Sequence, residues 1–168
     1  MFKEINIENL SDLNPISKIS KEWMLITAGD QKKYNTMTAS WGSLGYIWNK
    51  PVATMYIRQT RYTKEFADKF DYFSLCFFEK KYRKDLGYLG TYSGRDEDKV
   101  AKTSLTVDYF EDVPYFKEAS LVLICKKEYS QDMKPECFHD KECLKKNYDN
   151  DALHKLYIGE IVHTFIIK

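Results

Sequence analysis

The chain has 168 residues, 43% of them hydrophobic, which is enough for one domain with a sizeable core. Its 26 Lys and Arg nearly balance 25 Asp and Glu, which argues against a nucleic-acid-binding protein driven by net charge. The first 20 residues lack a signal-like apolar region, and the run from Leu121 to Cys125 is too short to span a bilayer. We therefore expect one cytoplasmic domain over residues 1–168, without a nucleic-acid or membrane partner.

Taken in chain order, the predicted elements are mostly strands joined by short helices and turns. Residues 1–20 and 41–51 are predicted to be irregular, the second because it contains two glycines and a proline. The predicted strands cover residues 23–27, 34–40, 52–57, 70–78, 105–110, 119–129 and 153–167, and the predicted helices cover residues 64–70, 80–92, 97–102 and 141–147. Gly159 is a candidate β-bulge in the last strand. This pattern favours an antiparallel barrel or an α+β domain over a doubly wound sheet.

The stretch from Val52 to Phe70 has the pattern of an anion-binding site. A β-type run ends in RQTRYT, and a short helix follows, with Phe66 and Phe70 on one face and Thr63 as its expected N-cap. Guanidinium forks, hydroxyls and a helix N-terminus all suit a phosphate monoester. Four side chains belong to this predicted phosphate site: Arg58, Thr60, Arg61 and Thr63. The alternative interpretation is a solvated turn with two surface arginines.

Two further stretches could contact a flat ligand. The small residues of NTMTASWG, residues 35–42, would let an aromatic ring approach the backbone of a strand end. The segment SGRDEDK, residues 93–99, is either a solvated charged loop or a loop that closes over a ligand with its serine, backbone and lysine.

The four cysteines form no CxxC pair and are expected to be free thiols. Cys137, His139 and Cys143 could be considered as zinc ligands, but they lack the usual paired spacing, so we expect no metal site. No Ser-His-Asp order and no carboxylate pair supports hydrolysis.

In the order TMTASWG, RQTRYT and SGRDEDK, with LYIGEI near the end, these motifs resemble the flavin reductase family with the FMN-binding split barrel. The resemblance runs from about residue 23 to 106 and returns at residues 156–161. It implies a mainly β fold, a Greek-key split barrel with peripheral helices, and a homodimer with non-covalent FMN near the subunit interface. The residues it implies for the phosphate are Arg58, Thr60, Arg61 and Thr63, and those for the ring are Thr38, Ala39, Ser40 and Trp41, with Ser93 and Lys99 nearby.

The activity that the resemblance implies is an NAD(P)H:flavin reductase, in which NADH or NADPH passes a hydride to FMN. The catalytic residues are unknown at this stage, because the flavin itself carries the redox chemistry. Two alternatives need the same site: a flavoredoxin-like protein that holds FMN for a redox protein partner, and a flavin-binding module without catalysis. The sequence does not separate them, and it assigns no role to residues 130–150.

Overall fold

A computed structural model describes residues 2–10, 13–149 and 151–167, and it is mainly antiparallel β-structure with a few helices. The strands are β1 (Phe2–Ile5), β2 (Met24–Gly29), β3 (Tyr34–Ala39), β4 (Gly42–Ile47), β5 (Lys50–Arg58), β6 (Tyr72–Phe77), β7 (Val107–Phe110), β8 (Val113–Phe116), β9 (Leu121–Asp132) and β10 (His154–Ile167). The helices are α1 (Pro15–Ser17), α2 (Thr63–Lys69), α3 (Arg83–Thr91) and α4 (Lys141–Tyr148). Within the described ranges, no helix has the length and apolar character needed to cross a membrane.

The main sheet has the strand order β3-β2-β6-β9-β10-β5-β4, and β1 also pairs with β10. Strands β7 and β8 form a separate hairpin. The long strand β10 therefore joins the two halves of the sheet, since it pairs with β9 on one side and with β5 and then β1 on the other.

The predicted bulge at Gly159 is confirmed. The register between β10 and β9 shifts between Ile158 and Gly159, where Ile158 pairs with Tyr129 and Gly159 with Lys127. A Cβ atom at Gly159 would lie 2.6 Å from the ring of Phe73, so the missing side chain makes room for that ring.

Two hydrophobic clusters lie on opposite faces of the central strands. Leu75 and Leu123 belong to the inner cluster, whereas their neighbours Cys76 and Val122 belong to the outer cluster, which α3 covers. This is the period-2 alternation of strands buried on both faces. The inner cluster also receives side chains from β3, near one end of the sheet, and from β5, near the other. The sheet therefore curls around this cluster.

The structure corrects the predicted loop over residues 41–51. This stretch forms strand β4, a two-residue turn at Trp48 and Asn49, and the start of β5, with Ile47 paired to Lys50. Both turn residues have positive φ, 55° and 57°. Positive φ at both central positions is typical of a type I′ turn, whose twist matches that of the flanking strands.

Three smaller expectations were also wrong. The irregular lead-in contains β1, whose Phe2 pairs with Ile167 at the far end of the chain. Strand β8 was not predicted. The expected helix over residues 97–102 is reduced to a 3-10 turn at Val100–Lys102, because so short a segment gains too few hydrogen bonds to offset helix nucleation.

Candidate functional site

Two adjoining clefts form one groove between β3 and the C-terminal end of β5. The larger cleft has a volume of about 540 Å³ and is lined by Arg58, residues 60–63, residues 91–96 and Lys99 among others. The smaller has a volume of about 130 Å³ and is lined mainly by residues 37–41. Met37, Arg58 and Arg61 line both clefts. The groove thus brings together all the site residues predicted from the sequence, which are Thr38, Ala39, Ser40, Trp41, Arg58, Thr60, Arg61, Thr63, Ser93 and Lys99.

The larger cleft is basic. Arg61 is exposed, and within the described part of the chain its side chain makes one hydrogen bond, from Nη1 to the Gly90 carbonyl at 3.1 Å, so the rest of its guanidinium fork is available. Arg95 is more firmly held, because it donates to the Thr60 carbonyl at 3.2 Å and forms an ion pair with Glu65. Its guanidinium also lies 4.8 Å from the centre of the Tyr62 ring.

Lys99 is the buried cation of the larger cleft, with 5% of its surface exposed. Its Nζ donates to the carbonyls of Leu89 at 2.7 Å and Tyr92 at 3.0 Å, at the C-terminal end of α3. A cation is favourable there because the end of the helix presents unpaired carbonyls. Burial, together with nearby Arg61, lowers the pKa of Lys99 to about 8.

Thr63 is not the N-cap that the sequence predicts. It is the first residue of α2, Tyr62 occupies the N-cap position, and no side chain caps the helix there. The Thr63 hydroxyl is buried and accepts a hydrogen bond of 2.8 Å from Asn35 Nδ2. The prediction that Phe66 and Phe70 lie on one face is confirmed, since their rings stack with centres 6.4 Å apart, although Phe70 is the C-cap that follows the helix.

Asn35 also packs closely against the loop formed by residues 93–99. A Cβ atom at Gly94 would lie 2.1 Å from Asn35 Oδ1, so only glycine fits there without a shift. Asn35 therefore braces both the start of α2 and this loop. Sequence reasoning missed it, because its partners Thr63 and Gly94 are 28 and 59 positions away and no local pattern links them.

The smaller cleft follows the end of β3. The Thr38 hydroxyl donates to the Leu86 carbonyl at 2.5 Å and so joins β3 to α3. Trp41 is exposed, with its ring centre 4.9 Å from that of His154 and 6.3 Å from that of Tyr148. The Tyr148 hydroxyl and His154 Nδ1 are hydrogen-bonded at 2.9 Å.

His154 is buried in this cleft and carries no charge at neutral pH. Burial lowers the pKa of His154 to about 4, and the positive charge of Arg58 acts in the same direction. The position of His154 beside Trp41 depends on the pairing of β10 with β5.

Arg58 faces a different set of partners from Arg61. Its guanidinium forms an ion pair with Asp151 and donates to the carbonyls of Asn147 at 3.1 Å and Ala152 at 3.3 Å. It also lies 5.2 Å from the centre of the Tyr148 ring. Arg58 thus connects the end of β5 to the C-terminal end of α4.

Besides Asn35, Tyr148 and His154, sequence reasoning missed Arg95. It lies in the SGRDEDK segment between Ser93 and Lys99, and the argument that selects the other two arginines applies equally to it. Tyr148 had no comparable signal, because it belongs to the stretch where the resemblance assigns no role.

Comparison with known proteins agrees with the motifs. Residues 16–168 match a family described as the flavin reductase like domain. No curated protein matches the sequence. An FMN-binding domain of a flavin reductases-like enzyme from Shewanella baltica has 17% identity and a TM-score of 0.71, over 99% of this chain and 77% of that chain.

Two other solved structures show the same fold. Flavoredoxin from Methanosarcina acetivorans has 23% identity and a TM-score of 0.68, over 99% of this chain and 76% of that one. An NADH:FAD oxidoreductase from Streptomyces globisporus, in complex with NAD and FAD fragments, has 12% identity and a TM-score of 0.65, over 87% of this chain and 74% of that one.

Proposed function

Because the chain belongs to the flavin reductase-like family, we propose that it is an FMN-binding oxidoreductase whose groove holds the flavin non-covalently. The observation that carries this proposal is one groove with a basic, hydroxyl-bearing end and a strand-lined end. FMN has the matching two parts, a dianionic phosphate and a flat ring. Neighbours described as FMN-binding and as flavoredoxin support the same choice of ligand.

The larger cleft would hold the phosphate. Arg61 offers a guanidinium fork, and Thr60, Thr63 and Ser93 offer hydroxyls. The Ser93 hydroxyl accepts from the backbone N–H of Arg95 at 3.1 Å and keeps its own hydrogen for another acceptor. Lys99 adds a positive charge, and salt screens this charge less than an exposed one because the side chain is buried.

The smaller cleft would hold the ring along Thr38, Ala39, Ser40 and Trp41. Strand β3 ends the sheet on this side, so in the described chain its outer edge makes no strand pairing. Backbone N–H groups on that edge could meet heteroatoms of the ring and stabilise negative charge on it. When bound, FMN would supply the redox chemistry, and the protein would orient it and control access.

We propose hydride transfer from NADH or NADPH to FMN as the activity. The neighbour described as an NADH:FAD oxidoreductase supports this choice. The similarity to a flavoredoxin supports the second candidate, an electron-transfer protein that keeps FMN and serves a redox protein partner. Both candidates require the same FMN site.

We also propose that the curled sheet is a Greek-key split barrel and that the protein is a homodimer. Strands β3 and β5 line one groove although four strands lie between them in the sheet, and this supports a barrel-like closure. Exposed apolar side chains on the β4–β5 hairpin support the dimer.

Two measurements test the proposed function. Titration of the apo-protein with FMN should quench flavin fluorescence, and a protein that leaves it unchanged contradicts the proposal. Oxidation of NADH and NADPH should then be followed with and without added free FMN. Turnover supports the reductase, whereas tight FMN binding without turnover of either dinucleotide favours the electron carrier.

A further inference from the structure

Arg58 has partners that the proposed flavin site does not use. In the described chain its side chain has three hydrogen-bond acceptors, the carboxylate of Asp151 and the carbonyls of Asn147 and Ala152, which belong to the end of α4 or the residues after it. The Asn147 carbonyl lies in the last turn of α4, where a positive charge interacts favourably with the helix dipole. The Arg58 side chain is three-quarters buried, with 24% of its surface exposed, whereas its partner Asp151 has 55% of its side chain exposed.

The helix that Arg58 holds contacts two side chains that line the groove, Trp41 and His154. Tyr148, the last residue of α4, packs under the Arg58 guanidinium and hydrogen-bonds to His154. Its ring also contacts Trp41, one of the proposed ring-binding residues. A chain of direct contacts therefore runs from Arg58 through Tyr148 to the smaller cleft.

We infer that Arg58 is a positioning residue that fixes α4 against the flavin groove and does not bind the flavin phosphate directly. The inference rests on the proposed FMN site, and it gives a role to α4 that no sequence motif indicated. The negative charge of Asp151 already neutralises Arg58, so a phosphate would have to displace a carboxylate and two carbonyls to reach the same donors. Among the described residues, the Arg61 side chain has a single acceptor, the Gly90 carbonyl, so most of its donors are open to a phosphate.

The two possible roles of Arg58, positioning α4 or binding phosphate, predict different effects of Asp151→Ala. If Arg58 positions α4, Asp151→Ala removes the same contact from the other side and should reproduce the defect of Arg58→Ala. If Arg58 binds phosphate, Asp151→Ala frees its guanidinium and should leave FMN affinity unchanged or improve it. The two residues thus form a matched pair for a test.

The first readout is hydrogen exchange of the α4 amides in the apo-protein, which does not depend on flavin. We expect Asp151→Ala to speed this exchange by about tenfold, the effect of losing one charge-assisted interaction, and Arg58→Ala to speed it at least as much because two carbonyl contacts are lost as well. Arg58→Lys should restore part of the protection, because it keeps the charge but cannot reach all three acceptors. Exchange that stays at the wild-type rate in both alanine variants overturns the inference.

The second readout is binding of FMN and riboflavin, with Arg61→Ala as the control. In each of the variants Arg58→Ala and Asp151→Ala, we expect the affinity for FMN and the affinity for riboflavin to fall by the same factor. We also expect both variants to alter the circular dichroism of the bound flavin, because both disturb side chains beside the ring. The inference is overturned if Arg58→Ala lowers the affinity for FMN at least about ten times more than the affinity for riboflavin while Asp151→Ala lowers neither affinity. If Arg58→Ala does not fold, Asp151→Ala and Arg58→Lys give the same decision. A wild-type protein that binds neither flavin defeats the proposed function, while exchange at α4 still decides whether Arg58 fixes that helix.

Discussion

At the scale of single residues, Arg61 is the side chain on which the proposed phosphate site depends most. We expect Arg61→Ala to weaken FMN far more than riboflavin, which has the same ring and ribityl chain but no phosphate. A charge-assisted hydrogen bond contributes about 1.5–3 kcal/mol, which corresponds to a roughly ten- to hundredfold loss of FMN affinity. Fluorescence titration of the wild-type protein and of Arg61→Ala with both flavins measures this loss of affinity. Equal weakening of the two would place the anion site elsewhere.

The lowered pKa of Lys99 predicts that FMN binding at the same site depends on pH. Its pKa is about 8 in the apo-protein, below the usual 10.5, because it is buried and close to Arg61. A bound phosphate would stabilise the ammonium and raise this pKa, so FMN binding above pH 8 would take up a proton. We therefore expect FMN affinity to fall as the pH rises from about 8 to 10. Below pH 8, Lys99 is charged with and without ligand, and its contribution to FMN affinity is therefore constant.

Riboflavin provides the control for this pH dependence, because it lacks the phosphate that would interact with Lys99. The ratio of the FMN and riboflavin dissociation constants, measured at each pH, should rise over this window. A ratio that stays flat would mean that Lys99 serves only to close the end of α3 through the carbonyls of Leu89 and Tyr92.

The predictability of the site also differs between residues. Arg61 and Thr60 stand in a short motif whose local chemistry suggests an anion site, whereas the family resemblance selected the strand from Thr38 to Trp41. Asn35 and Tyr148 could not be found in this way, since each acquires its role through partners that only the folded chain brings close. Arg58 lines the groove, but its ion pair with Asp151 could not be predicted, because it joins residues 93 positions apart.

At the scale of elements, the strands with clear apolar runs were predicted well, and those defined by distant pairing were not. Strands β6, β9 and β10 are buried on one or both faces and carry the strongest patterns. Strand β4 has no such pattern, because most of its residues are exposed and two of them are glycines. Its existence depends on the type I′ turn that follows and on its register with β5.

The bulge in β10 gives a stability prediction. Gly159→Ala would place a Cβ atom 2.6 Å from the Phe73 ring and 3.0 Å from Cys125 Cβ, so core side chains would have to move. Overpacking of this kind costs about 1–3 kcal/mol of unfolding free energy, which urea denaturation would measure. Gly45→Ala is the matched control in β4, because a Cβ atom there meets nothing within 4 Å. Similar stabilities for the two variants would mean that the Phe73 ring relaxes freely.

At the scale of the whole molecule, the sequence predicted antiparallel strands but not their order. The inner cluster joins residues of β3 and β5, and the groove lies between these two strands. Neither fact follows from local periodicity, because both depend on how β10 bridges the halves of the sheet. The family resemblance implies a Greek-key split barrel, a topology that the hydrophobic pattern alone does not predict.

The β4–β5 hairpin predicts the oligomeric state. Tyr46, Ile47 and Trp48 expose 67%, 41% and 51% of their surfaces. Side chains of this size and type are enriched at protein interfaces. We expect a dimer by light scattering at micromolar concentration and a shift towards monomer in Trp48→Asp. Tyr129→Asp, at a tyrosine of 41% exposure on β9, is the control that should leave the mass unchanged. A monomeric wild-type protein would contradict the proposed dimer.

The position of β10 has a consequence for how the protein is made. In the described chain, the β4–β5 hairpin joins the rest of the main sheet only through β10, which spans residues 154–167. A nascent chain that has left the ribosome as far as β9 can therefore pair β3, β2, β6 and β9 but cannot yet dock the hairpin. Such late contacts between distant segments are slow to form. We expect the groove to be the last region assembled, so that a flavin captured there would stabilise the final step of folding by mass action.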